Sequence, residues 1–96
     1  MLVLITYDVN TKTSEGERRL RKVAKECVNY GHRVQNSVFE CFLSEAQFIT
    51  LKQRLSSLID LNKDNVRFYF LGENWHNKVE SLGSDTSLDF SGSLII

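Results

Sequence analysis

A run of hydrophobic positions starts at the second residue of the chain and ends at a carboxylate, Leu2-Val3-Leu4-Ile5-Thr6-Tyr7-Asp8. A short run rich in leucine, isoleucine and valine is typical of a strand that is buried on both faces. A polar loop follows at residues 10–16. The pattern therefore predicts a buried first strand that holds Asp8 at its end. A carboxylate there either carries chemistry on a rigid support or simply ends the strand and starts a turn.

A helical period follows over residues 17–30. The apolar positions recur at the i, i+3, i+4, i+7, i+8 spacing of one buried face: Leu20, Val23, Ala24, Cys27 and Val28. Gly31 is suited to the position just after the helix, where a left-handed conformation is common. The pattern predicts an amphipathic helix that ends at Gly31.

Cations dominate the polar face of this helix. Arg18, Arg21, Lys22 and Lys25 fall on one stripe, and Glu26 is the one acid among the six cations between residues 18 and 33. The stripe is either a phosphate-binding surface or an ordinary solvated helix face. The net charge of the whole chain is zero, and the C-terminal residues 80–96 carry Glu80, Asp85 and Asp89 without a cation, so a basic helix contrasts with an acidic tail.

Further elements are predicted downstream. Residues 32–43 are extended but break the two-residue period, which indicates a bend or bulge near residues 35–37. The segment is either two short strands or one bent strand. Ser44 and Gln47 form a capping box at the start of a helix that continues to about residue 59. Residues 66–71 are aromatic and strongly strand-forming, and residues 79–82 are a weaker strand candidate.

The end of the chain is apolar again, at Leu94, Ile95 and Ile96. A free apolar terminus needs a surface on which to dock, so we expect this tail to lie across a second copy of the chain. His32 and His76 are isolated, so each is either a metal ligand or, more commonly for a lone histidine, an exposed polar residue; Trp75 receives no role.

The order of the elements predicts an α+β, ferredoxin-like β-α-β-β-α-β fold with an extra C-terminal strand. We predict a single domain over residues 1–96, with a core at 1–72 and an extension at 73–96 that contributes to a dimer interface. Two helices can cover only one face of the sheet, although the strands carry apolar residues on both faces. A symmetric homodimer would cover the other face.

Composition narrows the class of protein further. A chain of 96 residues has a thin core, which a partner subunit would supplement. Cys27 and Cys41 lie in apolar patterns and are expected to be reduced thiols in a cytoplasmic protein, although a single disulfide stays open. The apolar segments are too short for a membrane span, and the first strand lacks the basic flank of a signal peptide.

Three segments carry a resemblance to a known family: residues 3–9, the basic run at 18–25, and Gly-His-Arg-Val-Gln-Asn-Ser-Val-Phe-Glu at 31–40. Together they resemble the second core CRISPR-associated protein, the small partner of the spacer integrase. The similarity continues through the capping box and the strand at 66–71 to the C-terminal end. The overall pattern is similar to the version found with type I-C systems.

The resemblance implies a ferredoxin-like homodimer that acts in the acquisition of new spacers. Members are described as metal-dependent endonucleases that cleave RNA or duplex DNA. For this chain we expect magnesium as the ion, with manganese as a substitute. Other members serve mainly as a structural bridge between integrase dimers. Both functions, enzyme and DNA-binding scaffold, stay open from the sequence.

The resemblance also assigns residues. The catalytic and metal-binding aspartate falls on Asp8, and the supporting positions fall on Tyr7, Arg33 and Phe39, although a strand phenylalanine is more often part of the core. The nucleic-acid-binding set is Arg18, Arg19, Arg21, Lys22, Lys25 and Arg33, and which helix cations match the family arginines stays open. Because one carboxylate is a poor magnesium site, we expect Asp8 from both chains of a dimer to share one ion.

Overall fold

The computed structural model describes residues 1–72 and 79–84. The elements in chain order are β1 (Leu2–Asp8), α1 (Ser14–Cys27), β2 (Gly31–Gln35), β3 (Val38–Phe42), α2 (Glu45–Leu58), β4 (Asn65–Leu71) and β5 (Val79–Gly83). None of the helices in these residues is long and apolar enough to cross a membrane.

The strands form one sheet in the order β2-β3-β1-β4-β5, and every neighbouring pair is antiparallel. The first four strands and the two helices have the ferredoxin-like order, and β5 is the predicted extra strand. The α+β prediction is therefore confirmed. Strand β1 lies at the centre of the sheet, with both of its edges paired. Only Val3, Ile5 and Tyr7 of this strand are buried, so the predicted burial of both faces is wrong for the isolated chain.

Both helices pack on the same face of the sheet, which we call the closed face. The buried side chains from the sheet are Val3, Ile5, Tyr7, Phe39, Cys41, Val66, Phe68 and Phe70. Helix α2 adds Phe48, Leu51 and Leu55, and its predicted capping box is present. The Phe48 ring contacts Phe68 and Phe70 edge-on, with centroids 5.2 and 5.0 Å apart.

Helix α1 differs from the prediction at both ends. It begins three residues earlier, because the Thr13 side chain accepts a hydrogen bond from the Gly16 amide at 3.0 Å and caps the helix. It ends at Cys27, so Val28 lies at the C-terminal cap with 43% of its surface exposed and is not part of the buried face. The predicted boundaries and the burial of Val28 were therefore wrong.

Gly31 is also not the residue that ends the helix. It is the first residue of β2, opposite Cys41, and a Cβ atom there would lie 1.9 Å from the Glu40 carbonyl oxygen. Glycine is required because the two strands approach closely at this point. The predicted bend is confirmed: residues 36–37 turn the chain from β2 to β3, and the register shifts between Arg33 and Gln35.

The second face of the sheet, which we call the open face, carries the even-numbered residues of β1 and their partners on β3 and β4. Within the described residues neither helix covers it. Its apolar half lies around Leu2, which is opposite both Phe42 and Leu71. These three side chains are 37%, 72% and 37% exposed, so a large apolar area faces solvent in the isolated chain.

Some predictions fall outside the described residues. These are the tail at Leu94, Ile95 and Ile96 and the interpretations of Trp75 and His76. The division into a core and an extension stays a prediction. Cys27 and Cys41 are both free and buried, and the Cys41 thiol donates to the Cys27 carbonyl oxygen at 3.4 Å, so the expected reduced state fits the structure.

Candidate functional site at the end of the first strand

Asp8 is the last residue of β1 and its side chain is exposed on the open face. It lies directly opposite Asn65, the first residue of β4. Tyr7 is buried on the closed face, because successive strand residues point to opposite sides of a sheet. The two residues of the Tyr-Asp pair are therefore separated by the sheet and do not form one site.

Asp8 belongs to the polar half of the open face. Thr6 and its β4 partner Arg67 are its same-face neighbours, together with Asn65. The Arg67 Nε atom donates to Asn65 Oδ1 at 3.3 Å, and Asn65 Nδ2 donates to the Leu82 carbonyl oxygen at 3.3 Å. A guanidinium group and a carboxylate thus share one surface, which can accommodate a phosphate group together with a cation. The sequence alone did not single out Arg67, because its place beside Asp8 depends on the strand register.

The Asp8 carboxylate is a suitable ligand type for magnesium, but it is a single ligand. Among residues 1–72 and 79–84, no group of three or more histidine, cysteine or acidic side chains could hold a metal ion. Magnesium is usually bound through one or two carboxylates, with waters and substrate phosphates completing the octahedron. The exposed Asp8 carboxylate can supply one such ligand.

A buried polar cluster lies on the closed face beneath this strand end. Asp64 is 1% exposed and accepts hydrogen bonds from the Tyr7 hydroxyl and from the Asp60 amide, the latter at 3.0 Å. Arg19 donates to its carboxylate from Nε at 2.8 Å and from Nη2 at 3.2 Å. We call Tyr7, Arg19 and Asp64 the buried polar cluster. It links β1 and α1 to the loop before β4.

The cluster sets the charge state of its members. Burial raises the pKa of Tyr7 above its usual value, and the hydrogen bond to the Asp64 carboxylate raises it further. Burial alone would raise the pKa of Asp64, but the hydrogen bonds from Arg19, Tyr7 and the Asp60 amide outweigh burial and lower it. The hydrogen bond to Asp64 also raises the pKa of Arg19. The cluster therefore holds an ion pair and a neutral phenol at neutral pH.

The predicted cations of α1 fall into two groups. Arg18, Arg21, Lys22 and Lys25 are all exposed on α1, and we call them the basic stripe. Arg19 faces inward instead, with its guanidinium group engaged by Asp64. A carboxylate oxygen of Glu26, which directly follows Lys25, lies 3.5 Å from the Arg54 guanidinium group of α2. Asp64 therefore neutralises Arg19, and this distinguishes Arg19 from the exposed cations of the basic stripe.

The basic stripe and Asp8 are not brought together within one chain. The stripe lies on the outer side of the helix layer, whereas Asp8 lies on the other side of the sheet. Arg33 is exposed on β2, where its Nε donates to the Asn36 carbonyl oxygen at 2.7 Å and its guanidinium carbon lies 5.6 Å from the centre of the Phe39 ring. Phe39 is fully buried in the core.

The buried polar cluster was missed in the sequence, although a signal for it exists. Arg19 is in phase with Val23 and Cys27 at the helical i+4 and i+8 spacing, which places it beside the buried face of α1. Asp64 is in phase with Val66, Phe68 and the rest of the buried side of β4 at the two-residue period. Two charged residues in phase with buried faces are candidates for a buried pair.

Known proteins resemble this chain closely. Residues 1–79 match the family described as CRISPR associated protein Cas2. The chain is 53% identical over 96 residues to the CRISPR-associated endoribonuclease Cas2 of Chlorobaculum tepidum, with all of both chains covered. It is 57% identical over 95 residues to the CRISPR-associated endonuclease Cas2 of Halalkalibacterium halodurans, with 99% of each chain covered.

A solved structure agrees with this fold. The crystal structure of Streptococcus pyogenes Cas2 at pH 6.5 aligns with a TM-score of 0.75 and 59% sequence identity, covering 86% of this chain and 100% of that chain. The family resemblance found in the sequence is therefore confirmed. The names of the curated relatives agree with the expectation of a nuclease.

Proposed function

Because this chain belongs to the CRISPR associated protein Cas2 family, we propose that it is a metal-dependent endonuclease, a phosphodiesterase that acts on duplex DNA or RNA during spacer acquisition. The observation that carries the proposal is the exposed carboxylate of Asp8 at the end of the central strand, beside Arg67. The motifs support a type I-C-like member. The buried free thiols Cys27 and Cys41 support a reducing compartment such as the cytoplasm.

In this proposal Asp8 holds magnesium, or manganese as a substitute, and the substrate phosphate lies over the polar half of the open face. The ion would neutralise phosphate charge and lower the pKa of a bound water. Arg67 would contribute a second positive charge to the phosphate, because its position opposite Thr6 puts it on the same face as Asp8. Tyr7 and Phe39 would act only through the structure, since both are buried.

A symmetric homodimer would complete the site. The apolar half of the open face, around Leu2, Phe42 and Leu71, is the kind of surface that a second copy covers. A two-fold axis could then bring Asp8 of both chains to one shared ion. Two carboxylates so close would repel each other without the metal, so metal binding should release protons and strengthen as pH rises from mildly acid to neutral.

A steady-state cleavage assay on DNA and RNA substrates tests the activity, with magnesium and then with a chelator. We expect cleavage that depends on the metal and is restored by adding it back. Chelator-resistant cleavage would contradict a metal-dependent mechanism, and a lack of turnover on both substrates would favour the scaffold described below.

Calorimetry with Mn²⁺ tests the shared site separately. We expect one ion per two chains and an affinity that rises with pH. One ion per chain would contradict the shared site while leaving metal-dependent cleavage intact.

A dimeric DNA-binding scaffold that bridges dimers of the spacer integrase is the second candidate. The separation of the basic stripe from Asp8 favours it, because one chain can bind a duplex on the stripe without offering the bound phosphates to the carboxylate. The scaffold predicts normal DNA binding and integrase assembly in an Asp8→Asn protein. The endonuclease predicts that the same protein binds nucleic acid but does not cleave it.

A further inference from the structure

Asp64 connects four parts of the chain that are distant in sequence. Its carboxylate accepts from the Tyr7 hydroxyl, from two nitrogen atoms of Arg19 and from the Asp60 amide. Its backbone oxygen accepts the Ser84 amide at 2.7 Å. One residue thereby joins the end of β1, helix α1, the loop before β4 and the end of β5.

These contacts lie next to Asp8 in the structure, at the end of β1 and the start of β4. Tyr7, which donates to Asp64, is the residue immediately before Asp8. Asn65, which follows Asp64 directly, is the β4 residue opposite Asp8. Both strands that flank the candidate site are therefore held from the closed face by the same carboxylate.

We propose that Asp64 is a positioning residue for Asp8: through Tyr7 it fixes the end of β1 so that the Asp8 carboxylate is presented to a metal ion in one orientation. This inference rests on the proposed function, in which Asp8 is the metal ligand. Groups that orient a metal ligand from behind commonly change metal affinity or activity when they are replaced. The competing explanation is that the buried polar cluster contributes only to the stability of the fold.

The two explanations predict different effects of substitutions on amide exchange and on Mn²⁺ affinity. Asp64→Asn keeps the shape of the side chain but removes the charge that pairs with Arg19. Tyr7→Phe keeps the Arg19–Asp64 ion pair and removes only the hydroxyl hydrogen bond to Asp64. Leu51→Val is the control, because Leu51 is a fully buried residue of α2 outside the cluster, and its truncation destabilises the core without touching these hydrogen bonds.

Two measurements are made on the full chain: amide hydrogen exchange by NMR, and Mn²⁺ affinity by calorimetry. Asp64→Asn should speed exchange at Tyr7 and Asp8 more than at Val3 and Ile5, and weaken Mn²⁺ binding by about 10-fold or more. Tyr7→Phe should change both in the same direction by less. Leu51→Val should speed exchange along β1 evenly and leave Mn²⁺ affinity at the parent value.

The inference is overturned if Tyr7→Phe and Leu51→Val have the same effects, or if Mn²⁺ affinity is unchanged in both cluster variants. Tyr7→Phe keeps the test decisive if Asp64→Asn does not fold. Failure of the proposed function is recognised differently: a parent protein that binds no Mn²⁺ would overturn both claims at once. A parent that binds Mn²⁺ together with insensitive variants would overturn the positioning role alone.

Discussion

The two faces of the sheet are built from alternating residues of the same strands, yet they differ in burial and in the pairing of their charges. On the closed face, Val3 and Ile5 are fully buried under two helices, and the buried Asp64 is paired with Arg19 within the buried polar cluster. On the open face, Phe42 and Leu71 are exposed at one end and Asp8 at the other. The comparison suggests that the closed face holds the fold together and that the open face is left for association and chemistry.

The open face is itself divided along the strand. Leu2 and Asp8 are six residues apart on β1, which corresponds to roughly 20 Å at the usual rise of a strand. The open face therefore has two separate ends on one rigid surface. A second copy can cover the apolar end, and a phosphate can approach the polar end. A shared ion would require the two-fold axis to pass near the polar end, so that the dimer interface extends from Leu2 toward Asp8.

Two phenylalanines of β3 test the comparison with the largest expected effect. Phe39 is 0% exposed on the closed face, and Phe42 is 72% exposed on the open face. Phe39→Ala should reduce the free energy of unfolding by about 3–5 kcal/mol, because it leaves a cavity in the core. Phe42→Ala should cost less than about 1 kcal/mol in the isolated chain and instead weaken dimerisation.

Urea unfolding at several protein concentrations and analytical ultracentrifugation measure these two effects. The functional division of the faces would be contradicted if both variants lost the same stability at every concentration. It would also be contradicted if Phe42→Ala associated as tightly as the parent.

Much of this arrangement could be predicted from the sequence because it depends on local signals. The apolar run of β1, the capping box at Ser44 and the aromatic period of β4 each identify an element that the structure contains. The exposed position of Asp8 follows from the end of the run. The start of α1 was missed because the Thr13 cap lies within a loop rich in equally suitable polar residues.

The features that could not be predicted depend on contacts between distant residues. Arg19 and Asp64 are 45 residues apart, and their phases suggest burial but do not identify the partner. Arg67 comes next to Asp8 only through the β1–β4 register. The sequence therefore indicated one residue of the candidate site and grouped Arg19 with the exposed cations of its helix.

The basic stripe gives the second prediction, on nucleic-acid binding. Replacing Arg18, Arg21, Lys22 and Lys25 by alanine should weaken DNA binding on all sequences alike. The slope of log affinity against log salt should flatten by about 0.9 for each phosphate that the variant no longer neutralises, because fewer counterions are released. Filter binding or fluorescence anisotropy over a range of salt concentrations measures the slope.

Arg54→Ala is the control for the stripe, since Arg54 is an exposed cation of the other helix and lies 3.5 Å from Glu26. Arg54→Ala should change the slope by at most about 0.9, which is the contribution of a single phosphate contact. A stripe variant that retains the parent slope would show that these cations are only solvated.

The smallest expected effect concerns pH. The pKa of Tyr7 is raised in the folded state, so its contribution to stability is fully present below the unfolded value of about 10 and is lost as pH rises from there toward the folded value. Tyr7→Phe removes this contribution. The difference in free energy of unfolding between parent and variant should shrink above pH 10 by up to roughly 1.4 kcal/mol per pH unit. A difference that stays constant up to pH 12 would contradict the buried hydrogen bond to Asp64.

The most direct test of the account is Asp8→Asn, with cleavage rate, dimerisation, DNA affinity and free energy of unfolding measured on the same preparation. Asp8 is exposed on the open face, so its replacement should change the free energy of unfolding by less than about 0.5 kcal/mol. We expect the dimer and its DNA affinity to be retained and metal-dependent cleavage to be abolished. An Asp8→Asn protein that cleaves at the parent rate would contradict the proposed site, and so would one that loses cleavage only because it no longer folds.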